Sequence, residues 1–125
     1  MAIDITGPVT TLVRTALDAS SLRHEAISNN IANVNTPGFK SQKVSFEDQL
    51  QAMVGSGQYK NDHLLKEKME SINPYIYESD NEQQSNQLDV EMVDMAKNTI
   101  HYQTLLKGLR GYGSIVKMAI KQGRG

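Results

Sequence analysis

The chain has 125 residues, neither cysteine nor tryptophan, and a formal net charge of −1. This length suits one modest domain, and the absence of cysteine excludes disulfides, thiolate metal ligands and a cysteine nucleophile. The charge is unevenly spread, because residues 43–91 carry ten acids and four bases whereas residues 97–125 carry six bases and no acid.

Residues 1–7 are predicted to form an N-terminal arm, and they carry no obvious targeting signal. The stretch "MAIDITGPVT" has neither a basic segment nor an apolar segment of the secretory type, so we expect no cleaved signal peptide. No apolar run approaches the roughly 20 residues of a membrane-spanning helix, and we expect no direct membrane span.

Residues 8–34 are predicted to form an N-terminal helix. Gly7 suits the N-cap position, and Pro8 suits the first turn, where its missing N–H costs nothing. Apolar residues recur at spacings of three and four along this stretch. They are Val13, Leu17, Ile27, Ile31 and Val34.

Residues 35–86 are predicted to form an extended middle segment, because Asn, Gly, Ser, Gln and Lys dominate it. The stretch "VSFEDQLQAMV" (44–54) is compatible with a short helix or an extended piece. The alternation in "INPYIYES" (72–79) favours a strand or an extended arm. The polar stretch 78–87 is typical of a linker.

Residues 87–121 are predicted to form a second, longer helix with a heptad-like apolar row. We call this row the seam. Its apolar members are Leu88, Met92, Met95, Tyr102, Leu106, Leu109, Val116 and Ile120. The expected fold is therefore mainly α: residues 8–34 and 87–121 form one helical domain, an elongated antiparallel two-helix coiled coil, joined by a loop-like or short β middle segment.

A second apolar row accompanies the seam on the same helix, and it includes Val93, Ala96 and Ile100. One partner helix covers only one stripe, so a lone pair of these helices would leave apolar surface in water. We therefore expect the chain to assemble with copies of itself or with partners.

The sequence offers little to support catalysis or cofactor binding. His24, His63 and His101 do not form a metal-binding spacing. The acidic residues 89, 91 and 94 fit the positive end of a helix dipole, and the basic C-terminal stretch fits its negative end. We expect no enzyme activity, no metal and no cofactor, and we disfavour nucleic-acid binding because the basic residues are spread around the helix.

The most specific signal is "NNIANVNTPGF" (29–39). Pro37 cannot continue a helix, Asn33 or Asn35 can adopt the left-handed conformation that ends one, and residues 36–39 suit a type II turn. Asn29 and Asn33 are four residues apart and share a helix face. Their amides both donate and accept hydrogen bonds, which suits contacts with a neighbouring backbone in an assembly.

Two stretches resemble the flagellar axial proteins, the rod, hook and hook-associated group. "SNNIANVNTPGFK" (28–40) is similar to their N-terminal signature, and "LDVEMVDMAKNTIHYQTLLKGL" (88–109) is similar to the C-terminal helix of the rod proteins. The likeness covers about half of the chain. The motif and assembly residues that it singles out are Asn29, Asn30, Ile31, Ala32, Asn33, Thr36, Pro37, Gly38 and Phe39.

The resemblance implies a structural subunit of the proximal rod of the bacterial flagellar basal body, outside the inner membrane. Such subunits are exported without a cleaved signal peptide and polymerise into a helical tube that transmits torque from the motor to the hook. The implied partners are further copies of the chain, the rod proteins FlgC, FlgF and FlgG, the adaptor FliE and the membrane ring FliF. Two alternatives stay open, namely that the chain is FlgC itself or a soluble coiled-coil adaptor.

Overall fold

A computed structural model describes the backbone of residues 7–56, 61–80 and 87–123. Within these ranges it also describes the side chains, except those of residues 54, 56, 62 and 112–123. In chain order the elements are α1 (Pro8–Ala32), β1 (Gln42–Ser45), α2 (Glu47–Ser56), α3 (Asp62–Glu70), β2 (Tyr75–Glu78) and α4 (Leu88–Gly123). Most of the N-terminal arm (residues 1–6) and most of the expected linker (residues 81–86) lie outside the described residues.

The fold class is confirmed, because long N- and C-terminal helices pack together and the middle contributes a small sheet. The start of α1 follows the expected signals, with Gly7 as an extended N-cap and Pro8 in the first turn. The helices run antiparallel, since Asn30 near the end of α1 contacts Glu91 near the start of α4 and Ser20 contacts Asn98.

The middle segment contains the expected β structure and, in addition, two short helices. β1 and β2 pair antiparallel, with Val44 opposite Ile76. α3 is the element that the sequence reading did not anticipate. Asn61 caps it, because the Asn61 side chain accepts from the N–H of Leu64 at 2.9 Å.

The apolar core lies between α1 and the middle segment. Its buried members are Ala19, Phe46, Met53, Met69 and Ile72. Half-buried apolar side chains from α1, β1, α2 and α3 pack around them, which explains why α3 forms despite its many charges. The middle segment is thus part of the body of the molecule, packed on α1.

Candidate assembly site

Asn30 lies at the junction of α1, β1 and α4, and its side chain is 1% exposed. Its Oδ1 accepts from the N–H of Gln42 at 2.7 Å, and its Nδ2 donates to the carbonyl of the same residue at 3.1 Å. The amide therefore pairs with the main chain of β1 in the way that a neighbouring strand would. A side-chain amide suits this pairing because it offers a donor and an acceptor side by side without carrying a charge.

Glu91 brings the start of α4 to the same junction, with only 3% of its surface exposed. Both of its carboxylate oxygens accept from Asn30 Nδ2 at 3.2 Å, and Oε1 also accepts from the Ser41 hydroxyl at 3.2 Å. Burying a carboxylate is costly unless hydrogen bonds replace the lost water. These bonds therefore fasten α4 to both α1 and the residue before β1.

A second polar contact joins the helices seven residues further along α4. We call the two contacts, Asn30 with Glu91 and Ser20 with Asn98, the polar clamps. Ser20 Oγ donates to Asn98 Oδ1 at 2.9 Å, and Asn98 Nδ2 donates to the Ser20 carbonyl at 2.8 Å. Both side chains are buried. The described hydrogen bonds between α1 and α4 thus join amide, hydroxyl and carboxylate groups at positions where a coiled coil would carry apolar ones, and the buried Ile27 lies on the same face of α1.

Asn29 and Asn33, expected to contact neighbouring chains, make hydrogen bonds within this chain. Asn29 Nδ2 donates to Gln42 Oε1 at 3.2 Å, and Asn33 Nδ2 donates to the Asn29 carbonyl at 2.8 Å. The exposed side chain of Asn29 and the half-buried one of Asn33 still reach the surface. A role for them in contacts between chains stays a prediction.

The expectation of a left-handed asparagine at the end of α1 is wrong, because among the described residues only Gly38 has a positive φ. Asn33 ends the helix at φ −108°, with its N–H shared between the carbonyls of Asn29 and Asn30. These bonds close the last turn in a tighter, 3₁₀-like manner and satisfy the terminal carbonyls without a left-handed residue.

The turn after the helix fits the type II prediction. Phe39 N–H donates to the Thr36 carbonyl at 3.3 Å, and Gly38, the third residue of the turn, has φ +75°. Pro37 is exposed and Phe39 is half-buried. The other two motif residues, Ile31 and Ala32, are half-buried and exposed respectively.

The seam of α4 lies beside the line of contact with α1. Leu88, Met92 and Tyr102 are 44%, 59% and 37% exposed. Three further members are half-buried, namely Met95, Leu106 and Leu109. The side chains of the last two members, Val116 and Ile120, lie outside the described residues. In the single chain the seam is therefore partly open to water.

Among the described residues, one groove lies on each of two sides of the α1–α4 pair. One, of about 420 Å³, is bordered by Ser20 and His24 on α1 and by the seam residues Tyr102 and Leu106 on α4. The other, of about 540 Å³, lies between α4 and the sheet. It is lined by apolar residues such as Ile27 and by charged residues, including the ion pair of Arg23 with Glu47.

Within the part of the chain that the structure describes, we find neither a metal-binding cluster nor a spanning helix. No three His, Asp or Glu side chains come together as potential ligands there. In the same residues no helix combines the length and apolar character that crossing a bilayer requires. The site's chemistry is that of hydrogen bonding and apolar contact.

Comparison with known proteins identifies the family. Residues 13–40 match the family described as flagella basal body rod protein. The flagellar basal body rod protein FlgB of Aeromonas hydrophila is 31% identical over 118 residues, which cover 85% of this chain and 87% of the relative. The chain belongs to the FlgB family of flagellar basal body rod proteins. The FlgB of Bacillus subtilis is 29% identical over 116 residues, covering 87% of this chain and 90% of the relative.

The comparisons confirm the resemblance and make it more specific. The two relatives named above match along most of their length and are both FlgB proteins, so the FlgB family is favoured over the FlgC alternative. A shorter match, 49% identical over 41 residues, is to the flagellar basal-body rod protein FlgG of Buchnera aphidicola, and it covers 33% of this chain and 16% of that one. As a member of the FlgB family, the chain is a component of the flagellar basal body rod.

The family match spans one side of the helix junction. Residues 13–40 include Ser20, Asn30 and the turn at Gly38. The partners of the first two residues, Asn98 and Glu91, lie far along the chain in α4. The abundance of asparagines in residues 29–39 marks this stretch in the sequence. No local pattern indicates that Asn30 contacts the carboxylate of Glu91, 61 residues away.

Proposed function

We propose that this chain is a structural subunit of the proximal rod, which polymerises into a helical tube and transmits torque from the motor to the hook. Membership of the FlgB family supports the rod location, and a structural role accounts for a site built from hydrogen bonds and apolar contacts. We propose accordingly that the chain is not an enzyme and needs no cofactor.

The observation that carries the proposal is the apolar surface that α4 leaves in water. Met92 is 59% exposed and Leu88 44% exposed, and both belong to the seam of an otherwise well-formed helix. Exposed apolar surface of this kind marks a place where another molecule packs. An open helical tube needs contacts in which one patch meets a different patch on the next subunit, and the seam provides one such patch.

The charge distribution supplies a second element of the proposal. Residues 43–91 are acidic and residues 97–125 are basic. In a stack of subunits, the basic end of one chain can lie against the acidic middle of the next. Such complementarity favours one register over others more than it adds affinity. The terminal helices, residues 8–34 and 87–121, would then act as the assembling domain.

The proposed partners follow from family membership and from the resemblance described above. They are further copies of the chain, the rod proteins FlgC, FlgF and FlgG, the adaptor FliE and the membrane ring FliF. We propose that the chain reaches the rod, outside the inner membrane, by export without a cleaved signal peptide.

A genetic replacement tests the proposal. The variants are Met92→Asp in the seam, Asn33→Leu at the end of α1, and Pro37→Ala combined with Gly38→Val in the turn. We expect each variant to accumulate as a soluble chain but to leave cells non-motile and without complete rods. Motility on soft agar and electron microscopy of isolated basal bodies provide the two measurements.

The matched control is Leu64→Asp, which places the same charge on an exposed leucine of α3, 42% exposed. We expect the control to retain motility because α3 is not part of the proposed assembling domain. Motile cells with intact basal bodies in the Met92→Asp strain would contradict the role of the seam. A wild-type chain absent from purified basal bodies would refute the proposed function itself.

A further inference from the structure

A stripe of exposed residues runs along α4 on the side that faces away from α1. Its members follow one another at steps of four and three, so they share one helix face. We call it the outer stripe, and it consists of Asp89, Val93, Ala96, Ile100, Gln103 and Lys107. Glu91 and Asn98 face α1, and at 100° per residue Ile100 points about 200° away from Asn98.

The outer stripe is apolar in its centre and charged at its ends. Val93 is 52% exposed and Ile100 is 65% exposed, with Ala96 exposed between them. α1 of the same chain lies on the opposite face of α4 and cannot cover these side chains. Asp89 stands at one end of the stripe and Lys107 at the other.

We propose that the outer stripe packs against the outer stripe of a second copy of this chain, antiparallel and related by a two-fold axis. The axis passes midway between Ala96 and Ile100. In this register Asp89 of each copy meets Lys107 of the other, so both ends of the contact pair opposite charges. A parallel pairing in register would place Asp89 against Asp89 and Lys107 against Lys107, which is unfavourable.

The residues beside the stripe fit the same register. On one flank, exposed Met92 of one copy lies near half-buried Leu106 of the other, which extends the apolar centre. The small side chain of Ala96 allows the two helices to approach closely. On the other flank, Lys97 of both copies comes near the axis, and this repulsion of like charges keeps the dimer weak.

The two-fold contact limits the number of copies that can associate through the outer stripe. An isologous interface is closed, because each copy covers the other's stripe and leaves none free for a third. The dimer therefore shields the apolar centre of α4 in the free chain, and it competes with open assembly. This inference goes beyond the proposed rod function and does not depend on it.

The first test measures the mass of the purified full chain by analytical ultracentrifugation over a wide concentration range. We expect a reversible change from 13.9 kDa to twice that mass. Ile100→Asp should raise the dissociation constant by about tenfold or more, whereas Leu64→Asp on α3 should leave it unchanged. A wild-type chain that stays monomeric, or that grows steadily beyond two copies, would overturn the proposal.

The second test determines the register by disulfide trapping, since the natural sequence has no cysteine. Val93→Cys and Gln103→Cys chains are oxidised mildly, each alone and as an equal mixture. The antiparallel register places residue 93 of one copy opposite residue 103 of the other. We expect a cross-linked dimer only in the mixture.

Each cysteine variant alone should stay uncross-linked, because ten residues of helix, about 15 Å, separate the two like positions. A disulfide requires Cα atoms within about 7 Å. Cross-linking of Val93→Cys with itself would indicate a parallel pair and would overturn the proposal. Lys97→Gln provides a further readout, since removing the repulsion at the axis should tighten the dimer several-fold.

Discussion

The two faces of α1 make contacts of opposite chemical character. One face packs on α3 and the sheet, beside a buried cluster of alanine, phenylalanine, methionine and isoleucine side chains to which α2 also contributes. The other face holds α4 through Asn30 with Glu91 and Ser20 with Asn98. Non-directional apolar burial provides most of the free energy of folding, whereas paired polar groups contribute little net free energy but are costly to leave unpaired.

This difference shows how the chain divides stability from specificity. The apolar cluster fixes the body formed by α1 and the middle segment. The polar clamps fix the position of α4 along α1, because each clamp is satisfied in one register only. The apolar side chains of α4, which a simple helical hairpin would bury, are thereby left for contacts with other chains.

The largest expected effect comes from the apolar side of the comparison. Phe46→Ala removes a side chain that is 6% exposed in the core, and we expect the free energy of unfolding to fall by about 3 to 5 kcal/mol. Chemical denaturation followed by circular dichroism measures this change. Leu64→Ala, at a 42% exposed position, is the control and should cost less than about 1 kcal/mol. Equal losses in the two variants would mean that the cluster is not the main source of stability.

Substitutions in the polar contact between Asn30 and Glu91 should lower the free energy of unfolding by less, and their effects should depend on each other. Glu91→Ala removes the acceptor of the Asn30 amide and of the Ser41 hydroxyl, and we expect a loss of about 1 to 3 kcal/mol in the free energy of unfolding. In a double-mutant cycle with Asn30→Ala, the two losses should deviate from additivity by at least about 0.5 kcal/mol. Strict additivity would show that the two residues do not interact in solution.

In the turn at residues 36–39, a substitution of Gly38 should change the free energy of unfolding through backbone strain alone. Gly38 has φ +75°, and a Cβ built there meets no atom within 4 Å. Gly38→Ala should therefore cost about 1 kcal/mol in the free energy of unfolding. Gly108→Ala, at an equally open position inside α4, should have the opposite sign and stabilise the chain by up to about 1 kcal/mol. Two changes of the same sign would argue against the left-handed turn.

The smallest effect on stability should come from the exposed seam of α4, which contacts neither the apolar core nor the polar clamps. Met92→Gln at a 59% exposed position should change the free energy of unfolding by no more than about 0.5 kcal/mol. The same chemical denaturation, followed by circular dichroism, provides the measurement, with Leu64→Gln as the matched control. A loss above about 1 kcal/mol for Met92→Gln alone would show that the seam is already buried within the single chain.

The sequence was informative where structure depends on local signals. The Gly7–Pro8 pair predicted the start of α1, the alternation of Ile and Tyr favoured the strand at residues 75–78, and the seam predicted the long second helix. The turn at Gly38 followed from the order of threonine, proline, glycine and an aromatic residue. Each of these features depends on residues within about one or two turns of chain.

The rest depended on contacts between distant residues. Glu91 fits the start of any helix, and nothing near it in sequence reveals that it is buried against Asn30. The charged residues of α3 resemble a solvated loop, and only the cap at Asn61 and the spacing of Leu65 and Met69 indicate a helix there. Heptad spacing predicts that the apolar row of α4 faces the nearest helix, and it therefore gives no sign that a polar face of α4 packs on α1.

The pairing of the Asn30 amide with the main chain of one residue occurs a second time, in the middle segment. The Gln49 side-chain amide donates to the Asn73 carbonyl at 3.0 Å and accepts from the Asn73 N–H at 3.2 Å. In both pairs the amide recognises main-chain atoms, which every amino acid except proline presents alike. Position 73 can therefore change its side chain over generations without loss of this pairing, and a change at position 42 loses only the exposed hydrogen bond from Asn29. Positions 30 and 49 stay constrained, because their amides make the pairing.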